Sequence, residues 1–447
     1  MRRVPNRVLS FLADELFKLY GILSTFSLSW TSVRLWVVFL LLPLYILSVA
    51  VRILPYIAFN AIHLFSEEGR QHLASKADGY RRVEREWAQK QLRGSYVFKE
   101  IVLRRLGRHE MTELPWGDGV QTLRVCGADA RFIKVRPRVT LAGETSRPPI
   151  VLLHGNPSWS FMWRNIIPHL LDQGHEVYAL DWLGHGRSDK ILRKELISFE
   201  LHMRTLIEFF NRTQLRNAVI VAHDWGGCVA LCTIPHLQPK AVSRLFLLNS
   251  FLPPRPSDIS IHCYLLYIIW YLATGIFDGY VPEPLIMRFM VPRSTNLDLQ
   301  GYRAPYKSDA RTKQSVTRFA HIVPGLPRLI LRNIRHRYLW RVLEGLCGPV
   351  NFSDINTQAL LSARDDDVRT FWADLEHSDW RDLKVMVAFG QDDTLLRDYK
   401  DVLVRLIGPQ HMVDWAKNGV WIAGAGHYPV EERPYEVVRL IAMFSRG

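Results

Sequence analysis

Residues 221–227 read V-A-H-D-W-G-G and follow an apolar, β-like run. The residues after them are typical of a helix, so the stretch predicts a strand, a tight turn and a helix in succession. Such a turn brings the two backbones close together and needs small residues beside its central position. Ala222 and Gly226 meet that need. The central residue is Asp224, where a nucleophile elbow more often carries serine, and we predict that Asp224 is a nucleophile.

Apolar runs on both sides of this stretch predict the fold class. They alternate with helix-length segments, which is typical of a mostly parallel sheet covered on both faces. Upstream, V-Q-T-L-R-V-C and A-R-F-I-K-V-R predict an antiparallel hairpin. The sequence therefore predicts an α/β fold. Its core strands are expected at 150–153, 176–180, 218–222, 244–248, 384–389 and 419–423.

A long segment between two of these strands predicts a cap. Residues 251–375 are rich in aromatic residues, Pro and Arg, are mainly helical in pattern, and interrupt the alternation of strands. We expect them to cover the active-site end of a core formed by 115–250 and 376–447. Residues 66–114 carry mixed charges and are predicted to be a helical linker.

The N-terminal residues 1–65 are predicted to be a membrane-associated region. Residues 35–51 carry no charge and are long enough for a tilted helix to span a bilayer. Residues 1–110 hold 17 Lys/Arg and 9 Asp/Glu, a balance of +8 that favours an anionic membrane surface. A buried helix or re-entrant hairpin broken at Pro43 and Pro55 is the alternative. We expect a single-pass, membrane-associated protein with no nucleic-acid partner, and the flanking charges indicate no orientation.

The cysteines favour neither a disulfide framework nor a metal site. The five of them are scattered, and no C-x-x-C pair is present. An odd, sparse set is typical of buried reduced thiols.

Polar loops follow the apolar runs and carry the candidate catalytic residues. The carboxyl ends of parallel strands meet at one edge of a sheet, so these loops should converge there. Asp224, then an acid, then His427 is the order of nucleophile, acid and histidine in one class of hydrolase fold. Asp393 is the predicted acid, with its neighbour Asp392 as the alternative. Besides the elbow, the loops read H-G-N-P-S-W (154–159), D-W-L-G-H-G-R-S-D (181–189), G-Q-D-D-T (390–394) and G-A-G-H-Y-P-V-E-E (424–432).

These motifs resemble the α/β-hydrolase superfamily, and specifically the haloalkane dehalogenases. The resemblance covers about 115–447, is densest between 150 and 250, and excludes the N-terminal hundred residues. Asn249 follows the strand before the cap, where some members carry the acid. An Asn–Trp halide pair with an acid after the later core strand resembles the third dehalogenase subgroup. The motifs are H-G-N-P-S-W-S-F-M-W-R-N-I-I-P-H-L, D-W-L-G-H-G-R-S-D-K, A-H-D-W-G-G and G-Y-R-A-P-Y.

Residue chemistry favours the same assignment. The carboxylate of Asp224 is ionised at neutral pH and could displace halide from an alkyl carbon, forming an ester to the enzyme. Trp225 and Asn156 offer N–H donors to the leaving halide. His427, oriented by Asp393, would activate water to hydrolyse the ester. Trp225 could instead only line the pocket, and Asn156 could only shape its loop.

Other residues are expected to support this site. His154, His185 and His223 are predicted to hold their loops by local hydrogen bonds. Aromatic residues of the cap, such as Trp270, Tyr302 and Tyr306, are expected to shape the substrate cavity.

Epoxide hydrolysis is the runner-up, because it shares the fold, the aspartate, the histidine and the acid. It needs cap tyrosines as proton donors, and the cap supplies several; Asn156 favours the dehalogenase. A monooxygenase of the coelenterazine type and a catalytically inactive, membrane-tethered binding protein are further alternatives. The resemblance implies no cofactor, no clustered ligands indicate a metal, and a small apolar organic molecule and water are the expected substrates. The candidate tyrosines are Tyr264, Tyr267, Tyr271, Tyr280, Tyr302 and Tyr306.

Overall fold

The computed structural model comprises two compact units, Met1–Ala74 and Ser75–Gly447. In the first, residues 67–71 are helical; all that follows concerns the second. The uncharged run 35–51 lies outside the described residues, and none of the helices within them is long and apolar enough to cross a membrane. The structure describes residues 66–71, 74–75, 90–95, 97–98, 116–137, 147–193, 196–252, 260, 262–263, 266–267, 270, 274, 283–306, 310–322 and 367–446.

An eight-stranded sheet forms the core, in the order β1-β2-β4-β3-β5-β6-β7-β8. The predicted hairpin is β1 with β2, and β2 also pairs antiparallel with β4. The other neighbours are parallel, which confirms the mostly parallel sheet. The strands are β1 (Val120–Val125), β2 (Ala128–Val135), β3 (Ile150–Leu153), β4 (Val177–Asp181), β5 (Ala218–His223), β6 (Val242–Leu248), β7 (Lys384–Gly390) and β8 (Val420–Ile422).

The central strands have side chains buried on both faces. All residues of β3, β4 and β5 are buried, which explains why their sequences are continuous apolar runs and do not alternate. Each fully buried Val, Leu or Ile contributes about 1.5–3 kcal/mol. The helices that cover the sheet and its edge are α1 (Ile167–Asp172), α2 (Phe199–Thr213), α3 (Trp225–Thr233), α4 (Glu283–Met290), α5 (Asn296–Arg303), α6 (Gln314–Phe319), α7 (Tyr399–Ile407), α8 (Pro429–Glu432) and α9 (Pro434–Arg446).

Helices α2 and α3 show how local sequence sets these elements. Helix α2 begins after Ser198, whose side chain accepts a hydrogen bond from the Leu201 N–H, and ends at Gln214 in a left-handed conformation. Every residue of α3 is buried, which agrees with its lack of a polar face. Helix α3 therefore begins inside the molecule, directly after Asp224.

Helices α4 to α6 lie between β6 and β7 in the chain, in the segment predicted as the cap. Helix α5 begins with a reciprocal capping box between Thr295 and Asp298. Its Gly301 packs against Phe161, and a Cβ at this glycine would lie 2.1 Å from the Phe161 ring. Only glycine therefore lets α5 approach the loop that follows β3.

Candidate active site

Asp224 occupies a tight turn between β5 and α3, as predicted. Its φ of +51° and ψ of −120° are unusual for a residue with a side chain. Its N–H donates to the Leu248 carbonyl, and its carbonyl accepts from the Ser250 hydroxyl. A Cβ at Gly226 would lie 2.5 Å from the Leu153 carbonyl oxygen, which explains the small residue there. The strained turn points the Asp224 carboxylate toward the end of the sheet where the other site residues lie.

The structure brings His427 between the two predicted carboxylates. Nδ1 of its ring donates to Oδ2 of Asp393 at 3.1 Å, and Nε2 lies 3.6 Å from Oδ2 of Asp224. All three side chains are buried. Asp392, the alternative acid, is exposed. The structure thus places the predicted nucleophile Asp224, His427 and the predicted acid Asp393 in one line of contacts.

Electrostatics strongly favour the charged form of His427. Burial alone lowers the pKa of this ring, but the carboxylates of Asp393 and Asp224 outweigh burial and raise it to about 10. For Asp393, burial raises the pKa, and the attraction of His427 outweighs this and lowers it. The two carboxylates therefore favour the protonated form of His427 in the resting site.

Asn249 holds the acid in place, a role that the sequence did not predict. It directly follows β6 with a φ of +44°, and its side-chain N–H donates to Oδ2 of Asp393 at 2.7 Å. Its side-chain oxygen accepts from the Gly390 N–H. The other oxygen of Asp393 accepts from the N–H groups of Leu395 and Leu396. The only indication in the sequence is the position of Asn249, where some members of the similar family carry the acid that orients the histidine.

The loop after β3 provides a hydrogen-bond donor to Asp224. The backbone N–H of Asn156 donates to Oδ1 of Asp224 at 2.9 Å. This group is placed to stabilise negative charge on that oxygen. The Asn156 side chain donates to the Val316 carbonyl at 3.1 Å and accepts from Nε2 of His185 at 3.1 Å. One N–H of its amide group is left for another acceptor.

Trp225 directly follows the nucleophile and is packed by three aromatic rings. It meets Phe251 and Phe319 edge to face, with centroids 5.2 Å and 4.8 Å away, and it is tilted against Phe199. No hydrogen-bond partner for its indole N–H is present among the residues that the structure describes. The three rings thus fix the orientation of the indole, and its N–H can donate to a bound molecule.

The supporting histidines make local hydrogen bonds, as predicted. Nδ1 of His154 donates to the Gly155 carbonyl, and its Nε2 accepts from the Trp182 N–H. Nε2 of His223 donates to the His427 carbonyl at 2.7 Å, and burial lowers the pKa of His223 to about 4. Burial also holds the pKa of His185 well below its usual range. Burial thus favours the neutral form of each ring, and each makes a hydrogen bond.

The cap tyrosines differ in what their hydroxyls contact. Tyr302 donates to Glu431, and Tyr267 donates to the Ala320 carbonyl. The hydroxyl of Tyr306 is buried with no side-chain partner in the described part of the chain. The Trp270 side chain is partly buried, whereas Tyr264, Tyr271 and Tyr280 fall outside the described residues. Within the described ranges no group of three or more His, Cys, Asp or Glu could hold a metal ion.

The raised pKa of His427 predicts a pH-dependent stability. Between an unfolded pKa near 6.5 and the folded value of about 10, the folded protein binds one proton more than the unfolded chain. Its free energy of unfolding should therefore fall with rising pH in this window, by about 1.4 kcal/mol per pH unit from this group. Urea unfolding of wild type and His427→Gln from pH 6 to pH 10 measures the difference. Parallel curves would contradict the proposed charge on His427.

Comparison with known proteins agrees with the resemblance. Residues 148–280 match a family model described as alpha/beta hydrolase fold. A haloalkane dehalogenase of Mycolicibacterium paratuberculosis is 41% identical over 111 residues, covering 25% of this chain and 36% of that protein. Bifunctional epoxide hydrolase 2 of Sus scrofa is 33% identical over 129 residues, 28% of this chain and 23% of that protein. The chain thus spans about a third of the first relative's length and about a quarter of the second's.

Among solved structures, the haloalkane dehalogenase DpaA from Paraglaciecola agarilytica NO2 superposes with a TM-score of 0.58 at 21% identity. The superposition covers 78% of this chain and 100% of that one. At this identity the match shows the fold alone. The protein therefore has the α/β-hydrolase fold and is similar in sequence to the haloalkane dehalogenases.

Proposed function

We propose that this protein is a hydrolase that cleaves a carbon–halogen bond through an ester on Asp224. One observation carries the proposal: the Asp224 carboxylate lies 3.6 Å from His427, which donates to Asp393, and the neighbouring Trp225 indole N–H has no hydrogen-bond partner among the described residues. The first step needs a nucleophile that is already ionised, and a carboxylate meets that need without a base.

In the first step, Oδ2 of Asp224 forms a bond to the alkyl carbon. The carbon–halogen bond breaks, and its electron pair leaves with the halide. Oδ1 becomes the ester carbonyl oxygen and keeps the hydrogen bond from the Asn156 N–H. The ester has no charge, so His427 loses the attraction that Asp224 exerts on its proton, and its pKa falls toward the range of a general base.

In the second step, the His427 ring first loses its own proton to solvent, because the neutral ester no longer holds it; Nε2 then removes a proton from water, whose oxygen bonds to the carbonyl carbon of the ester. The Asn156 N–H stabilises the negative charge that develops on Oδ1. The bond from that carbon to Oδ2 then breaks, and the leaving alkoxide takes the proton from His427 to become the alcohol. Asp224 is restored with one water-derived oxygen and releases its remaining proton to solvent.

Trp225 is proposed to donate to the leaving halide, together with the free N–H of Asn156. Replacing Trp225 with phenylalanine keeps an aromatic ring against Phe251 and Phe319 but removes the donor. We expect halide release to fall by about 10²- to 10³-fold, the cost of losing one transition-state donor. Ion chromatography of released bromide measures this rate. Trp415→Phe, at a partly exposed indole, is the matched control; equal rates in the two variants would show that Trp225 only lines the pocket.

Epoxide hydrolysis is the second candidate, and the buried Tyr306 hydroxyl favours it. Separate incubation with haloalkanes and with epoxides tests both functions, with halide and diol as the measured products. Halide release without epoxide opening is the expected result. Epoxide opening alone, lost in Tyr306→Phe, would establish the second candidate. Binding without turnover of either class would favour an inactive binding protein.

We also propose that the uncharged run 35–51 holds the protein at a membrane, where apolar substrates concentrate. The sequence alone supports this, through the length of the run and the basic balance of residues 1–110. Full-length protein should stay in the membrane fraction after carbonate extraction. Release by carbonate would contradict the anchor.

A further inference from the structure

A partly buried ionic network lies beside the proposed site and takes no part in the two proposed steps. At its centre is Arg164, which directly follows the 3-10 helix Ser160–Trp163 and is 12% exposed. Its guanidinium donates to both carboxylate oxygens of Glu431, at 2.5 Å and 2.9 Å. The same guanidinium donates to Oδ1 of Asp298 at 2.6 Å. A bidentate pair of this kind fixes orientation as well as distance.

Glu431 links this network to the segment that carries His427. It lies four residues after the histidine, on α8, and its side chain is 5% exposed. The neighbouring Glu432 accepts from the Gly426 N–H at 2.5 Å, directly before His427. The His427 carbonyl accepts from His223. Side-chain contacts thus hold the backbone on both sides of the histidine.

The other arm of the network reaches helix α5. Asp298 caps this helix with Oδ2, which accepts from the Thr295 N–H at 2.8 Å, and pairs with Arg164 through Oδ1. Tyr302, one turn further along α5, donates its hydroxyl to Glu431. The indole N–H of Trp159 donates to the Gly301 carbonyl of the same helix at 3.2 Å. One guanidinium therefore ties α5, the loop after β3 and the His427 segment together.

We infer that Arg164 and Glu431 are positioning residues. By holding helix α5 against the segment that carries His427, they keep the His427 ring where it can activate water at the Asp224 ester. This rests on the proposed function. The nucleophile is held by other contacts, because the Asp224 backbone hydrogen-bonds to Leu248 and Ser250. Loss of the pair should therefore slow ester hydrolysis, which needs His427, and spare halide displacement, which needs only Asp224.

Glu431→Gln keeps the shape of the side chain and removes its charge, so it tests this inference. In a rapid-mixing experiment with a bromoalkane, we expect alcohol formation to slow by about 10- to 100-fold, the effect of a small misplacement of a reacting group. The bromide burst should change by less than about threefold, since no reacting atom of the first step is moved. Alkylated enzyme should accumulate and be visible by intact mass spectrometry.

Two further variants separate positioning from folding. Arg164→Lys keeps the charge but loses the bidentate geometry, and it should show the same selective slowing to a smaller extent. Glu436→Gln removes an exposed carboxylate of the Arg439–Glu436 pair and should behave as wild type. Equal slowing of both steps, or of neither, in Glu431→Gln and Arg164→Lys would overturn the inference and leave the proposed function intact. A wild type that releases no bromide would instead overturn the proposed function, and this inference with it.

Discussion

Replacing Asp224 with asparagine is expected to reduce halide release by about 10⁴- to 10⁶-fold, the effect of losing a nucleophile. The amide is neutral and cannot form the alkyl ester, so neither step can proceed through this residue. Asparagine tolerates a positive φ and still offers an oxygen to the Asn156 N–H, so the fold should be retained. Bromide release under substrate excess measures the loss, and thermal unfolding checks the fold.

The control for this variant is a check that residue 224 remains asparagine. Asparagine in a strained turn can deamidate back to aspartate, and intact mass spectrometry detects that conversion. A variant that is folded, free of aspartate and as active as wild type would show that Asp224 is not the nucleophile. If the variant does not fold, oxygen-18 labelling of the wild-type enzyme in a single turnover tests the role of Asp224.

Replacing His427 with glutamine is expected to separate the two steps. Displacement needs only the carboxylate, so each enzyme molecule should release about one halide in a burst. Ester hydrolysis loses its general base and should slow by about 10²- to 10⁴-fold. Quenched-flow sampling of bromide and alcohol, with mass spectrometry of the protein, measures both steps and the trapped ester.

His411→Gln is the matched control, since His411 is buried but belongs to the 3-10 helix Pro409–His411, outside the site. It should release halide and alcohol at wild-type rates. If His427→Gln produced alcohol as fast as halide, then His427 would not be the base. If it released no halide at all, the histidine would be needed for the first step, against the order proposed here.

The sequence predicted the sheet and the line of site residues because both follow from local patterns. Continuous apolar runs such as those at β3 and β5 are typical of strands buried on both faces, and the predicted bounds 150–153 match those of β3. Small residues beside Asp224 signal the close approach that Gly226 makes to the Leu153 carbonyl. The loops with Asp393 and His427 follow parallel strands, so the sheet itself brings them together.

What the sequence could not show are contacts between distant segments. The position of Asn249 was noted in the sequence, but its hydrogen bond to Asp393 appears only in the structure, where β6 and β7 lie side by side. Glu431 belongs to the motif G-A-G-H-Y-P-V-E-E (424–432), but its partner Arg164 lies 267 residues away in sequence. Tyr302 was expected to shape the substrate cavity, but its hydroxyl is taken by Glu431. Such pairings depend on tertiary packing, and the local periodicity of the sequence carries no information about it.

Isotope transfer in a single turnover tests the ester on Asp224 most directly. Wild-type enzyme in excess would react with a bromoalkane in water labelled with oxygen-18, followed by mass spectrometry of the alcohol and of the peptide that contains Asp224. If water attacks the ester carbon, the alcohol takes its oxygen from Asp224 and is unlabelled, and the label appears in the Asp224 carboxylate. Labelled alcohol with an unlabelled Asp224 would mean that water attacks the alkyl carbon itself, and would contradict the nucleophile assigned here.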